Sequence, residues 1–162
     1  PNIRYVEYKT PIFYKILFII SAAIGIYFLS LIKLSATALP DYLIEYSKGF
    51  RIPIEYVSNF SFAESSHNIL KVSKKNAFGR FQIRTNNLKF YCEKTKFDYN
   101  EIKDKKEFLL NDKNNSYIFA WLFSFWRRQG YNKKEFIQIW LFGETGFLNG
   151  RHSDSFHKKI LK

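Results

Sequence analysis

The chain has 162 residues, 46% of them apolar and 20% aromatic, which allows one domain with an ordinary core plus an appendage. Its formal net charge is +12, with about +9 beyond residue 39. That balance favours a polyanionic partner or surface (nucleic acid, anionic lipid or cell-wall polymer) without choosing among them. A single cysteine, Cys92, excludes an intrachain disulfide, and no Cys-x-x-Cys or Cys/His spacing offers a structural zinc site.

The first element is hydrophobic. Ile12 to Ile32 reads IFYKILFIISAAIGIYFLSLI, with Lys15 its only charge. As a helix this run spans roughly 30 Å, about the thickness of a bilayer core. Arg4, Lys9 and Lys15 on the amino side predict a cytoplasmic tail over 1–11, a membrane anchor over 12–32 and a linker over 33–39. The expected location is the inner membrane, single-pass, with the rest of the chain on the periplasmic side. Ala36-Thr37-Ala38 also suits a signal-peptide cleavage site, and a buried core helix is the third reading of the run.

From residue 40 onward the pattern is helical, and the fold class expected is mainly α. Pro40 opens a short helix over 41–50. Pro53 and Glu55 suit the first turn of the next, over about 53–66. Residues 67–79 read as a loop, with a short ribbon within 70–82. Helices are predicted over about 82–93 and 100–110. Tyr117 to Trp126 is a buried helix with Ile118, Leu122 and Phe125 on one face and Trp121 beside them. Asn132 caps the last strong helix, Glu135 stands three residues on, Phe136, Ile139 and Trp140 form its apolar stripe, and Gly143 ends it.

The segment that carries chemistry is Phe62 to Ile83, FAESSHNILKVSKKNAFGRFQI. On a helix starting at Pro53, Val57, Phe60 and Glu64 share a face. A carboxylate on a core-directed face is costly unless paired or protonated. Desolvation raises its pKa, which a general acid working near neutral pH requires.

The segment contains Glu64-Ser65, then Ser73, Ala77-Phe78-Gly79 and Arg80-Phe81-Gln82-Ile83. This order and spacing resembles the soluble-lytic-transglycosylase domain of the lysozyme-like superfamily. A weaker likeness follows at Ile139-Trp140-Leu141-Phe142-Gly143, where the family carries Ala-Tyr-Asn-Ala-Gly, and Asn114-Asn115 loosely echoes the Asn-Ile that opens the preceding helix. Leu141 replaces the family's Asn, Arg80 replaces an apolar residue, and Arg84-Thr85-Asn86 stands in place of Pro-x-Thr. The likeness covers about residues 40–150.

The resemblance implies a lysozyme-like (goose-type lysozyme) catalytic domain over 40–162. It implies cleavage of the MurNAc-GlcNAc bond of peptidoglycan to 1,6-anhydro ends, with Glu64 as sole acid and base. Ser73 would orient the Glu64 carboxylate. Gly79, Phe81, Gln82 and Trp140 would line the sugar site. The glycan strands and the inner membrane are the expected partners. No cofactor, metal or nucleic acid is expected: His152 and His157 lack a third ligand, and the apolar span argues against a basic nucleic-acid binder. Two alternatives stay open: a hydrolytic lysozyme of the same fold, using Asp98, Asp104 or Asp112 as a second carboxylate, and a non-catalytic wall-binding or secretion-associated protein.

Overall fold

The computed structural model describes residues 20–21 and 39–161. The chain divides between Ala38 and Leu39. The predicted tail, membrane span and linker lie outside the described residues, except for Ile20, Ser21 and Leu39. Among the described residues no helix is long and apolar enough to cross a membrane.

The unit from Leu39 onward is mainly α, as the sequence predicts. Its helices are α1 (Asp41–Gly49), α2 (Ile54–Ser65), α3 (Leu88–Lys94), α4 (Lys105–Leu110), α5 (Asp112–Arg128), α6 (Lys133–Leu148) and α7 (Asp154–Ile160). Two short strands, β1 (Ala77–Phe78) and β2 (Ile83–Arg84), pair antiparallel, with Ala77 opposite Arg84 and Phe78 opposite Ile83.

Local chemistry explains the boundaries. Pro40 and Pro53 precede α1 and α2, neither in helical conformation, and supply no N–H that the helix would leave unpaired. The predicted capping box of α6 is present: Asn132 Oδ1 accepts the N–H of Lys134 and Glu135, and Glu135 returns a bond to the Asn132 N–H. Helix α6 breaks and restarts at Gly143, whose φ of 72° and ψ of 164° are not helical. Helix α7 was not anticipated; Asn59 on α2 holds its last turn through the Ile160 carbonyl at 3.0 Å.

Two predicted helices are corrected. The one expected over 82–93 starts only at Leu88, because Gln82 adopts a left-handed φ of 50° and the next two residues pair as β2. The one expected over 100–110 is split. Asp98 caps a single 3-10 turn, and Asp104 then turns extended and captures the N–H of Lys106 and Glu107 to start α4 afresh.

Helix α5 is the organising element, packed against α1, α4 and α6, while α7 covers α2. Its buried face is Ile118, Phe119, Leu122 and Phe123. Phe125 is only half-buried and stacks on Trp121 at 5.2 Å, off the face predicted for it. The core is aromatic: Phe60, Phe81, Phe119 and Phe136 are fully buried. Phe119 stacks on Phe81 at 4.0 Å and meets Phe60 at 4.8 Å. Cys92 is buried as a small apolar residue.

Candidate active site

Glu64 is the second-last residue of α2, one turn beyond Val57 and Phe60, which are buried at 1% and 0% exposure. The same helical face that anchors α2 in the core therefore delivers a half-buried carboxylate to the core's edge. Helix α6 meets it there. Trp140 Nε1–H donates to Glu64 Oε1 at 2.9 Å. The indole is fixed by edge-on contacts with Phe60 at 5.6 Å and Phe119 at 5.3 Å. The Glu64 carbonyl, near the helix end, accepts from Lys71 Nζ at 2.6 Å.

Burial pushes the Glu64 pKa up to about 7, against the pull of the Trp140 N–H and the charges of Lys71 and Arg84. Close to neutral pH, Glu64 can thus hold a proton and release it.

Glu64 opens into a cleft of about 830 Å³. Four segments line it: Ser73, Lys74 and Lys75 from the loop with Ala77 of β1, Gln82–Arg84 at β2, Asn87 with Tyr91 from the start of α3, and Ile139–Gly143 from α6, joined by Arg151. A separate depression of about 510 Å³ shares none of these residues and is lined by Asp98, Glu101, Asp104 and Glu107, among others.

The predicted site residues divide. Glu64, Ser73, Gln82 and Trp140 all line the cleft. Ser73 does so as a turn-former: its Oγ accepts the N–H of Lys75 at 3.2 Å and of Ala77 at 3.1 Å. The hydrogen-bond donor on the Glu64 carboxylate is Trp140, not Ser73. Gln82 spends its amide N–H groups on the carbonyls of Lys71 and Gly79, closing the loop, and its amide oxygen has no partner among the described residues.

Phe81 and Gly79 lie outside the cleft lining. Phe81 is fully buried in the stack with Phe119, so it carries the core instead of a sugar face. Gly79 does permit a close approach, but by the chain itself. A Cβ there would meet Asn115 Nδ2 at 2.6 Å and the Leu109 carbonyl at 2.7 Å.

No family model matches the chain, and neither a curated protein nor a solved structure matches it.

One departure from the motif, Arg80, finds its partner inside this fold. Arg80, 5% exposed, makes a two-pronged ion pair with Asp112, through Nη2 at 2.7 Å and Nε at 2.9 Å. Tyr42 donates its hydroxyl to the same carboxylate. Asn115 is fully buried and clamps the β1–β2 turn: it donates to the carbonyls of Phe78 and Leu109 and accepts the Phe81 N–H, each at 2.9 Å.

The three aspartates considered as second carboxylates are all engaged elsewhere. Asp98 and Asp104 are helix caps, and Asp112 is paired with Arg80. Among the described residues lining the cleft, Glu64 is the only acid. No group of three His, Cys, Asp or Glu among the described residues could hold a metal ion.

Among the lining residues that sequence reasoning did not assign to the site are the polar groups Lys74, Lys75, Arg84, Asn87, Tyr91 and Arg151. Asn87 Nδ2 donates to the Tyr91 hydroxyl at 3.2 Å, an i,i+4 pair that could have been noticed once α3 was placed. Burial raises the Tyr91 pKa, partly offset by Asn87 and Arg84. Arg151 comes from beyond the likeness and carried no local signal.

Proposed function

We propose that this chain is a membrane-tethered lytic transglycosylase acting on the glycan strands of peptidoglycan, with Glu64 as both acid and base. In this reading the α1–α7 unit is a lysozyme-like domain and residues 12–32 hold it at the outer face of the inner membrane. What carries the reading is a half-buried carboxylate, its pKa pushed up to about 7 by burial, held by a neutral donor in an open cleft, with no second acid among the described residues that line it.

The chemistry follows from that single group. Protonated Glu64 gives its proton to the glycosidic oxygen as the bond to the anomeric carbon breaks. The carboxylate left behind takes the proton of the muramyl 6-hydroxyl, whose oxygen closes onto the anomeric carbon. The product is a 1,6-anhydro end, and Glu64 is again protonated, with no water consumed.

Trp140 contributes orientation. An indole N–H can only donate. Glu64 Oε1, facing it, therefore acts as acceptor in both protonation states, and the transferable proton belongs on Oε2.

Hydrolysis by a carboxylate pair requires a second acid about 5–9.5 Å from the first. The cleft lining offers none, which favours the intramolecular route. Purified peptidoglycan incubated with the chain and analysed by mass spectrometry should give muropeptides lighter by one water than hydrolysed ends. Reducing ends would make the enzyme a lysozyme. Intact strands after incubation with several wall types would favour a binding protein, a reading to which Leu141 in the cleft lining lends some support.

A further inference from the structure

The charge of the cleft is one-sided. Lys74, Lys75, Arg84 and Arg151 line it, against Glu64 alone. All four are exposed, and none is ion-paired to a described carboxylate; the Arg80–Asp112 pair lies outside the lining. The cations come from three separate parts of the chain: the loop before β1, strand β2, and the segment between α6 and α7. Their convergence is a product of the fold and not of one basic run. The other depression differs in kind: it carries four acids, Asp98, Glu101, Asp104 and Glu107, beside Lys96 and Lys103.

Cations crowded into a concave wall repel one another and focus a positive potential into it. A neutral sugar polymer, which presents only hydroxyl and acetamido groups, gains nothing from such a field. An anionic one relieves it. Arg84 is the best placed of the four. It belongs to β2, whose register with β1 fixes its backbone, and its charge acts on both Glu64 and Tyr91.

We propose that the cleft selects glycans bearing carboxylates, and that Arg84 is the specificity-determining residue, its guanidinium pairing with a substrate carboxylate near the bond to be cut. The inference rests on Glu64 marking a glycan-cleaving site, but its subject is recognition and not chemistry. In peptidoglycan such a carboxylate has two sources: the lactyl group of a muramic acid free of peptide, and the stem peptide. A guanidinium fits either through two parallel N–H donors.

The test is binding to the full-length E64Q chain in detergent micelles, which separates recognition from turnover. Four oligosaccharides of equal length serve as probes: peptide-free GlcNAc–MurNAc with free lactyl carboxylates, its methyl ester, the peptide-bearing form, and the chitin oligomer. At least one carboxylate-bearing form should bind about tenfold or more tighter than both the ester and chitin, as expected for a charge-assisted pair. Which form does so identifies the source of the carboxylate.

Adding R84Q should abolish that preference, R84K should keep part of it, and added salt should shrink it. Thermal melting of each variant confirms that it is folded. Both carboxylate-bearing forms binding no tighter than the ester and chitin, or a preference that survives in folded R84Q, overturns the proposal. Failure of the catalytic reading looks different: wild-type chain would leave every strand uncut while the binding preference remained.

Discussion

Glu64 and Asp112 are two carboxylates drawn away from water by the same packed unit, and they meet opposite fates. Asp112, its side chain 10% exposed, receives a bidentate guanidinium from Arg80 and a hydroxyl from Tyr42. Glu64 receives one neutral indole N–H, with Lys71 and Arg84 acting on it only through space. Full pairing makes a buried carboxylate a structural fastener. A single neutral donor leaves desolvation uncompensated, so the group trades in protons.

The comparison can be broken most severely at Glu64. Glu64→Gln keeps the shape and the Trp140 bond but removes the transferable proton. Cleavage should fall by about a thousandfold or more, the scale of losing a positioned acid and base. Residual activity within tenfold of wild type would assign the chemistry elsewhere.

The same substitution carries a pH signature in stability. The folded pKa of Glu64 lies above the usual carboxylate value, so the native state binds the extra proton between about 4.5 and 7. The stabilisation is present at acid pH and is lost as pH rises through that window. Above pH 7 the ionised group costs up to about 3 kcal/mol, so Glu64→Gln should melt no lower than wild type there and show a flatter stability curve. Urea titrations at pH 5 and pH 8 measure both.

Asp112→Asn should behave in reverse. It leaves Arg80 buried with an unmatched charge and should cost about 3–5 kcal/mol in urea unfolding, while product chemistry below the melting transition stays unchanged. Replacing Arg80 and Asp112 together by apolar residues should cost much less than either change alone. A mild Asp112→Asn would mean that the pair is ornamental.

Trp140→Phe sharpens the comparison at lower cost. Removing the N–H takes away a bond that favours the carboxylate, so the Glu64 pKa should rise and the alkaline limb of the pH–rate profile should move to higher pH. Turnover should fall about tenfold, within the range of a hydrogen bond to a charged group. An unmoved profile would remove Trp140 from the positioning of Glu64. The smallest effect belongs to Asp104→Ala, a lost helix cap worth about 1 kcal/mol with no change in cleavage.

Much of this unit can be read from local signals. Pro40, Pro53 and the Asn132–Glu135 pair mark helix starts by chemistry contained within a few residues, and α1, α2 and α6 start where those signals put them, whereas α5 begins at Asp112, five residues ahead of the apolar run expected from Tyr117. The Val57–Phe60–Glu64 spacing likewise suffices to put the carboxylate at the core's edge. The failures depend on partners far along the chain. Phe81 looks like a cleft aromatic until Phe119 stacks on it, and Arg80 looks like a misplaced charge until Asp112 answers it 32 residues later. The β1–β2 ribbon depends on Gln82 taking a left-handed turn that Asn115 helps to brace, so helical periodicity over 82–93 misled. Charge counts over the whole chain said nothing about where Arg84 and Arg151 would meet.

Asn115 has a consequence for how this cleft could be re-engineered. Two of its three hydrogen bonds, to the Phe78 carbonyl and from the Phe81 N–H, fasten the β1–β2 turn to helix α5 from within the core, and the third holds the Leu109 carbonyl of α4. The side of the cleft that holds Gln82 and Arg84 is thus moored to a helix as well as to the base of the loop before it, where Gln82 and Gly79 both bond the Lys71 carbonyl. Residues Lys74 and Lys75, exposed at the tip of that loop, can be exchanged or lengthened as an interchangeable part. The fold separates a fixed bench from a replaceable tool, and a library confined to that loop could change what enters the cleft without disturbing the residue that acts on it.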